Sequence, residues 1–179
     1  DPEFQMGPMV EHMAGLMALR MANAELIPYN LNRYAADLKL HFTNATNKIK
    51  AFDPNFRGFN RTNAAISSLG VISENLSSEL QSFLMEGNFS KKDLKIMNQQ
   101  LIALEKSFLS EQGMYFGKWY KSLYASSDPF SGYAAWILPG LEYEIALKSS
   151  KRLEEWDGRY ADAIKSLETK MKQLLQDLE

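Results

Sequence analysis

With 179 residues, 45% of them apolar and 12% aromatic, the chain can build one domain with a sizeable core and is far from the polar composition that stays disordered. A formal net charge of -2, spread as mixed signs along every segment, makes nucleic acid a poor partner, because no field of one sign is available to steer a phosphate backbone. The lack of cysteine removes disulfides, thiolate zinc sites and cysteine nucleophiles, and no run reaches the roughly 20 apolar residues that a membrane helix needs.

The opening Asp1-Pro2-Glu3-Phe4 reads as a vector remnant. Residues 1–8 are therefore expected to be disordered, with a helical pattern beginning abruptly near Met9, as in a piece excised from a longer protein. From Val10 to Glu25 the pattern is apolar nearly all round, through Met13, Leu16, Met17, Leu19 and Met21, which suits a helix enclosed by another domain. A first amphipathic stripe, Tyr34, Leu38, Phe42, Ala45, Ile49 and Phe52, recurs at helical steps of three or four; Asn30 is its expected N-cap and Asp53-Pro54 its stop. A second, Ala65, Leu69, Ile72, Leu76, Leu80 and Phe83, follows a cap at Thr62 or Asn60 and ends at Gly87. Ser90 and Asp93 have the spacing of a capping box, and they open a third stripe of Leu94, Met97, Leu101, Leu104 and Phe108.

Between the third stripe and the last lies a long excursion, Gly113 to Gly140, rich in large aromatics: Tyr115, Phe116, Trp119, Tyr120, Tyr124, Phe130, Tyr133 and Trp136. A loop of that length in a compact domain is usually functional, and such aromatics are enriched at interfaces. The last stripe is Trp156, Tyr160, Ala163, Leu167, Met171, Leu174 and Leu178. Four amphipathic helices must bury their stripes against one another. The expected fold is all-α: an antiparallel four-helix bundle (up-down-up-down) with an extra N-terminal helix and the aromatic excursion between the third and last bundle helices.

Chemistry-bearing patterns are few. Neither histidine has the Glu-x-x-His partner of a di-metal bundle, and the Walker loop, the dinucleotide glycine signature, His-Glu-x-x-His and the Gly-x-Ser-x-Gly elbow are missing. His12 beside Glu11 makes no metal site, His41 reads as a boundary histidine, and Glu142 with Glu144 and Glu154 with Glu155 read as solvated helix charges. No catalytic residue, metal ligand or cofactor is expected within the chain itself. Four sequons, at Asn44, Asn60, Asn75 and Asn88, point towards an extracytoplasmic or secretory-lumen setting; Asn44 and Asn75 would then need to lie on the polar faces of their helices.

An ordered series of segments carries a family resemblance. Ala18-Leu19-Arg20-Met21-Ala22-Asn23, Leu26-Ile27-Pro28-Tyr29 and Tyr34-Ala35 resemble the junction, in glutamate carboxypeptidase and transferrin receptor homologues, where a peptidase-like domain passes into a helical dimerisation domain. Met97-Asn98-x-Gln100-Leu101, Leu104-Glu105-Lys106-x-Phe108, Tyr124-Ala125-Ser126-Ser127 and Tyr133-Ala134 leading to Pro139-Gly140 follow in order. The resemblance implies a junction helix over 9–28, a dimerisation domain over 29–179, and partnership with a second copy and with the preceding peptidase-like domain. It implies two zinc ions in that peptidase domain, outside this chain, and a parent that is in some cases membrane-anchored elsewhere. It also implies that Tyr133 reaches the parent's substrate pocket; Gly132 stands where the glutamate-preferring enzyme has lysine, which puts a preference for C-terminal glutamate in doubt. Trp119, Tyr120, Tyr124, Phe130, Trp136, Trp156 and Tyr160 are the aromatics expected at the dimer interface. The rival expectations are a receptor-type parent that has lost its zinc ligands, and a helical adaptor that grips an unrelated protein.

Overall fold

The structure, a computed structural model, describes Glu3, Phe4 and residues 6–178. Asp1, Pro2 and Gln5 of the opening stretch lie outside the described residues, as does Glu179. Helix α1 spans Met6–Ala22 and so takes in residues ahead of the expected start near Met9; none of its residues is buried.

Helix α2, Asn32–Lys50, buries Leu38, Phe42, Ala45 and Ile49 of the expected stripe, with Tyr34 and Phe52 partly buried beside them. Its start departs from expectation. Asn30 does not cap it; the flanking position is Leu31, with no side-chain cap, whose apolar side chain is 2% exposed and ties the helix start to the core. The helix stops two residues before Phe52, where the N–H groups of Phe52 and Asp53 both donate to the Ile49 carbonyl in a closing turn.

Helix α3, Asn60–Glu86, buries Thr62, Ile66 and Ser73 as well as Ala65, Leu69 and Leu76, because it is sandwiched between two helices and needs two apolar faces. It ends as expected at Gly87, whose φ of 63° is the left-handed conformation that glycine adopts at low cost. The capping box of α4, Lys91–Leu104, forms in full: the Ser90 hydroxyl accepts the Asp93 N–H at 3.2 Å and the Asp93 carboxylate accepts the Ser90 N–H at 2.9 Å. These bonds hold the Asp93 carboxyl below its ordinary pKa. A 3₁₀ turn, Glu105–Phe108, follows, and it carries Phe108 into the core.

The excursion is an organised unit. Strands β1 (Ala125–Ser127) and β2 (Ala135–Ile137) form an antiparallel hairpin with Ser126 opposite Trp136. A short helix that the periodicity did not announce, α5 (Pro139–Ala146), leads to α6 (Leu153–Gln176), which buries Trp156, Tyr160, Ala163, Leu167, Met171 and Leu174.

Side-chain bonds fix the helix directions. Asn32 bonds Ser77, while an added Cβ at Gly70 would meet Ala35 at 3.7 Å, so α2 and α3 are antiparallel. Gln100 with Asp177 and Ala103 with Lys170 make α4 antiparallel to α6. Thr62 with Asp157 and Ser68 with Glu168, however, show that α3 and α6 lie alongside each other in parallel. This parallel pair is the most extensive interface, and α4 packs on α6 with no comparable seam to α2. The arrangement is centred on α3 and α6.

At the head of this pair Asp157 does what neither Asn60 nor Thr62 does. Helix α3 begins after Phe59, which has no capping side chain; the buried Asp157 carboxylate accepts the N–H groups of Arg61 at 3.1 Å and Thr62 at 2.9 Å, while the Thr62 hydroxyl donates to the Asp157 carbonyl at 3.0 Å. The cap is supplied from another helix, and it satisfies donors that would otherwise be orphaned in the core. Beneath it, Phe42 meets the rings of Phe59 and Tyr160 edge-on at 5.3 and 5.2 Å.

Candidate interaction surface

Two of the expected interface aromatics are core residues. Trp156 and Tyr160 are both 0% exposed, because they stand one turn apart on the face of α6 that meets α3 and α5. Gly140 shows how closely α5 approaches: a Cβ there would lie 2.7 Å from the Trp156 ring. Burial pushes the Tyr160 hydroxyl well above the ordinary tyrosine range, and the nearby amides of Gly140 and Leu141 offset this only in part. Neither side chain has surface to offer a partner.

The excursion keeps the others at or near the surface. Phe116 is the hub, with ring contacts to Tyr120 at 4.9 Å, Trp136 at 6.1 Å and Tyr143 of α5 at 5.2 Å. Trp119 extends the cluster through Tyr120, and Phe130 joins it through Trp136 and by stacking on Tyr143. Trp119 is 75% and Phe130 64% exposed, while Tyr120 and Trp136 are half-buried. Large apolar side chains that protrude from an already interlocked cluster are what an interface needs, since little conformational entropy remains to be lost. Tyr143 was not legible as a member because it belongs to the unannounced helix.

Tyr124 is placed differently. Its ring meets Phe108 and His41, and with Tyr29 and Tyr34 it lines a cleft of about 870 Å³ between the start of α2 and the end of α4. Burial and the Glu105 carboxylate push the Tyr34 hydroxyl up to about 12, so it stays neutral as a donor. His41 is half-buried beside Tyr124, as a boundary histidine should be.

Tyr133, at the hairpin tip, is 97% exposed on a tightly held backbone. The buried Asp128 carboxylate accepts the Phe130 N–H at 2.7 Å and the Ser131 hydroxyl at 2.6 Å, and the Asp128 carbonyl accepts the Gly132 N–H at 2.8 Å. The Ser131 and Phe130 bonds hold the Asp128 carboxyl below its ordinary pKa. Gly132 takes φ 74°, which turns the chain so that Tyr133 points away from the fold. Leu138, at the exit, is buried with φ 56°, a strained conformation for a branched residue, held by its N–H bond to the Tyr124 carbonyl at 2.8 Å. The tip is preorganised from both ends.

The charged pairs divide by burial. Glu144, expected to be solvated, is 0% exposed, because α5 turns it against α6, where the Arg152 Nε donates to it at 2.6 Å. Glu142 instead pairs with Lys48 at the surface, and Glu155 accepts the Tyr115 hydroxyl. Among the described residues no three His, Cys, Asp or Glu side chains come together as a metal-binding group. The four sequon asparagines are all exposed: Asn44 on α2, Asn60 and Asn75 on α3, and Asn88 between α3 and α4.

At the other end, eight large apolar side chains of α1 stand exposed, from Met6 to Met21. The segment that joins α1 to α2 is gripped by Asn98 of α4, whose amide oxygen accepts the Ile27 N–H and whose amide nitrogen donates to the Glu25 carbonyl, both at 2.8 Å. Leu26, between them, is buried.

Residues 40–172 match the family model of the transferrin receptor-like dimerisation domain. The chain belongs to that family. It is 28% identical over 155 residues to a protein of Arabidopsis thaliana described as a probable glutamate carboxypeptidase, LAMP1, covering 86% of this chain and 21% of that protein. A Zea mays protein of the same description, VP8, is 27% identical over 126 residues, 69% of this chain and 17% of its own length. A second Arabidopsis protein so described, AMP1, is 24% identical over 163 residues, 87% and 22%. The dimerisation domain thus spans about a fifth of the length of these relatives.

Proposed function

We propose that this domain joins two copies of a glutamate carboxypeptidase-like zinc exopeptidase by pairing with its own twin, and that its hairpin tip supplies Tyr133 to the parent's substrate pocket. The observation that carries the first part is the interlocked aromatic cluster with Trp119 and Phe130 protruding from it. An isologous contact built on such a patch closes at two copies. Exposed apolar α1 fits a junction helix covered by the preceding peptidase-like domain. On this reading the two zinc ions belong to that preceding domain.

Tyr133 supports the second part by being a neutral phenol on a rigid, fully exposed tip. Between Ser122 and Leu141 the only charged side chain is Asp128, and it is spent on the loop's own backbone and Ser131. The tip therefore brings no cation for an acidic substrate side chain. The sequons add a secretory-lumen setting to this reading.

Sedimentation equilibrium of the chain tests the pairing: a dimer is expected at micromolar concentration, and a monomer there overturns it. Tyr133→Phe and Tyr133→Ala in the full-length protein test the pocket. Alanine should raise KM for peptide substrate, and unchanged kinetics in both variants would remove Tyr133 from the site.

A further inference from the structure

Of the four sequons, three have a hydroxyl that the fold itself employs. Thr62, of the Asn60 sequon, is buried and bonded to Asp157 through both its N–H and its hydroxyl. Ser77, of the Asn75 sequon, donates to the Ser73 carbonyl and contacts Asn32. Ser90, of the Asn88 sequon, is the N-cap of α4. Each of these hydroxyls is explained by folding alone.

Thr46, of the Asn44 sequon, is the exception, since its hydroxyl has no hydrogen-bond partner among the described residues. Asn44 is exposed on α2 and lines a cleft of about 640 Å³ between that helix and strand β2. Trp136 and Ile137 form the apolar wall of this cleft, and His41, Asn47, Lys48 and Glu142 its polar rim. An aromatic ring with hydrogen-bonding groups around it is the chemistry that receives a pyranose: the C–H face of the sugar packs on the indole while its hydroxyls and N-acetyl group meet the rim.

We infer that Asn44 is a glycosylation site whose first N-acetylglucosamine lies in this cleft against Trp136. The inference rests on the secretory setting proposed above. In the transfer, the Asn44 amide nitrogen forms a bond to C1 of an oligosaccharide carried on a polyprenyl diphosphate. The bond from C1 to the phosphate oxygen breaks, the polyprenyl diphosphate leaves with the electron pair, and the amide gives up one proton. Transfer acts on the extended chain, so the helical setting of Asn44 is no obstacle; what the fold decides is whether the sugar has a seat afterwards. Asn44 opens directly onto such a seat.

The test is to produce the full chain through a eukaryotic secretory pathway and measure occupancy at each sequon by glycopeptide mass spectrometry. Asn44 should be occupied. Trimming to a single N-acetylglucosamine should leave Tm above that of Asn44→Gln, and the difference should vanish in Trp136→Ala. In the unmutated protein, nuclear Overhauser contacts between sugar ring protons and the Trp136 indole give the same answer without a substitution. Modification elsewhere with Asn44 empty overturns the site but not the secretory setting, and four empty sequons overturn both. An occupied Asn44 whose sugar shows no indole contact and no effect on Tm overturns the seat.

Discussion

Trp156 and Tyr160 on α6 are chemically like Trp119 and Tyr133 in the excursion, yet the first two are sealed in the core and the second two protrude from the fold. What separates them is spacing. The α6 pair sits at i and i+4 within a stripe continued by Ala163, Leu167 and Met171, so one face of one helix must bury them all. The excursion aromatics keep a helical step only briefly, over Phe116, Tyr120 and Tyr124, and no helix forms there; a hairpin and a short helix gather some into a cluster and leave the rest outside. Residue type alone marks a large side chain as valuable to some contact, whereas periodicity says that the contact is within the chain. Polar chemistry follows the same division: Asp157 is bonded inside the α3–α6 seam, and Asp128 serves only its own loop.

Four substitutions probe that contrast. Asp157→Ala should do the most damage, since it strands the Arg61 and Thr62 N–H groups at the head of α3; a loss of about 3 kcal/mol is expected in chemical denaturation. If stability changes by only a few tenths, the seam does not depend on this cap. Asn98→Ala, at the edge of the core, should cost about 1 to 2 kcal/mol. Hydrogen exchange should show it locally, with Ile27 losing protection while the α6 amides keep theirs.

Ser90→Ala should cost about 1 kcal/mol through its helix cap. The partner Asp93 has a folded pKa below the ordinary 3.8, so its contribution is present above that value and is lost as pH falls through the folded pKa. Thermal scans from pH 6 down to pH 2 should therefore show the native protein losing more stability than Ser90→Ala near the acid end; parallel curves would place the box outside the energetics. Trp119→Ser closes the series with the smallest effect on folding, near zero because the side chain is 75% exposed. It should nevertheless weaken self-association by sedimentation, and an unaltered dimer would move the interface away from the excursion.

Local signals were the ones readable in advance. Gly87 as a helix stop, Ser90 with Asp93 as a capping box and the α6 stripe depend on neighbours within a few residues, and the structure forms them as spaced. Local sequence points to Asn60 or Thr62 as the cap of α3, because the carboxylate that accepts there, Asp157, lies 95 residues away from Thr62. The parallel contact of α3 with α6 was hidden for the same reason: amphipathic stripes specify that a face is buried but not which helix covers it. Helix α5 escaped notice because eight residues opening on Pro139-Gly140 hold barely two turns of pattern. Of the surface aromatics, Trp119, Phe130 and Tyr133 could be named from composition, whereas Tyr143 needed the fold.

The cap that Asp157 lends to α3 also orders events during synthesis. Helix α3 leaves the ribosome long before the segment that seals its head, so an unfinished nascent chain carries the side of α3 that holds Thr62 and Ser68 uncovered until α6 arrives. Contacts this distant along the chain are slow to form, and the exposed intermediate is the form at greatest risk of aggregation and of engagement by chaperones. Truncations within α6 should therefore be cleared as misfolded protein, because α3 stays uncovered until α6 has been made.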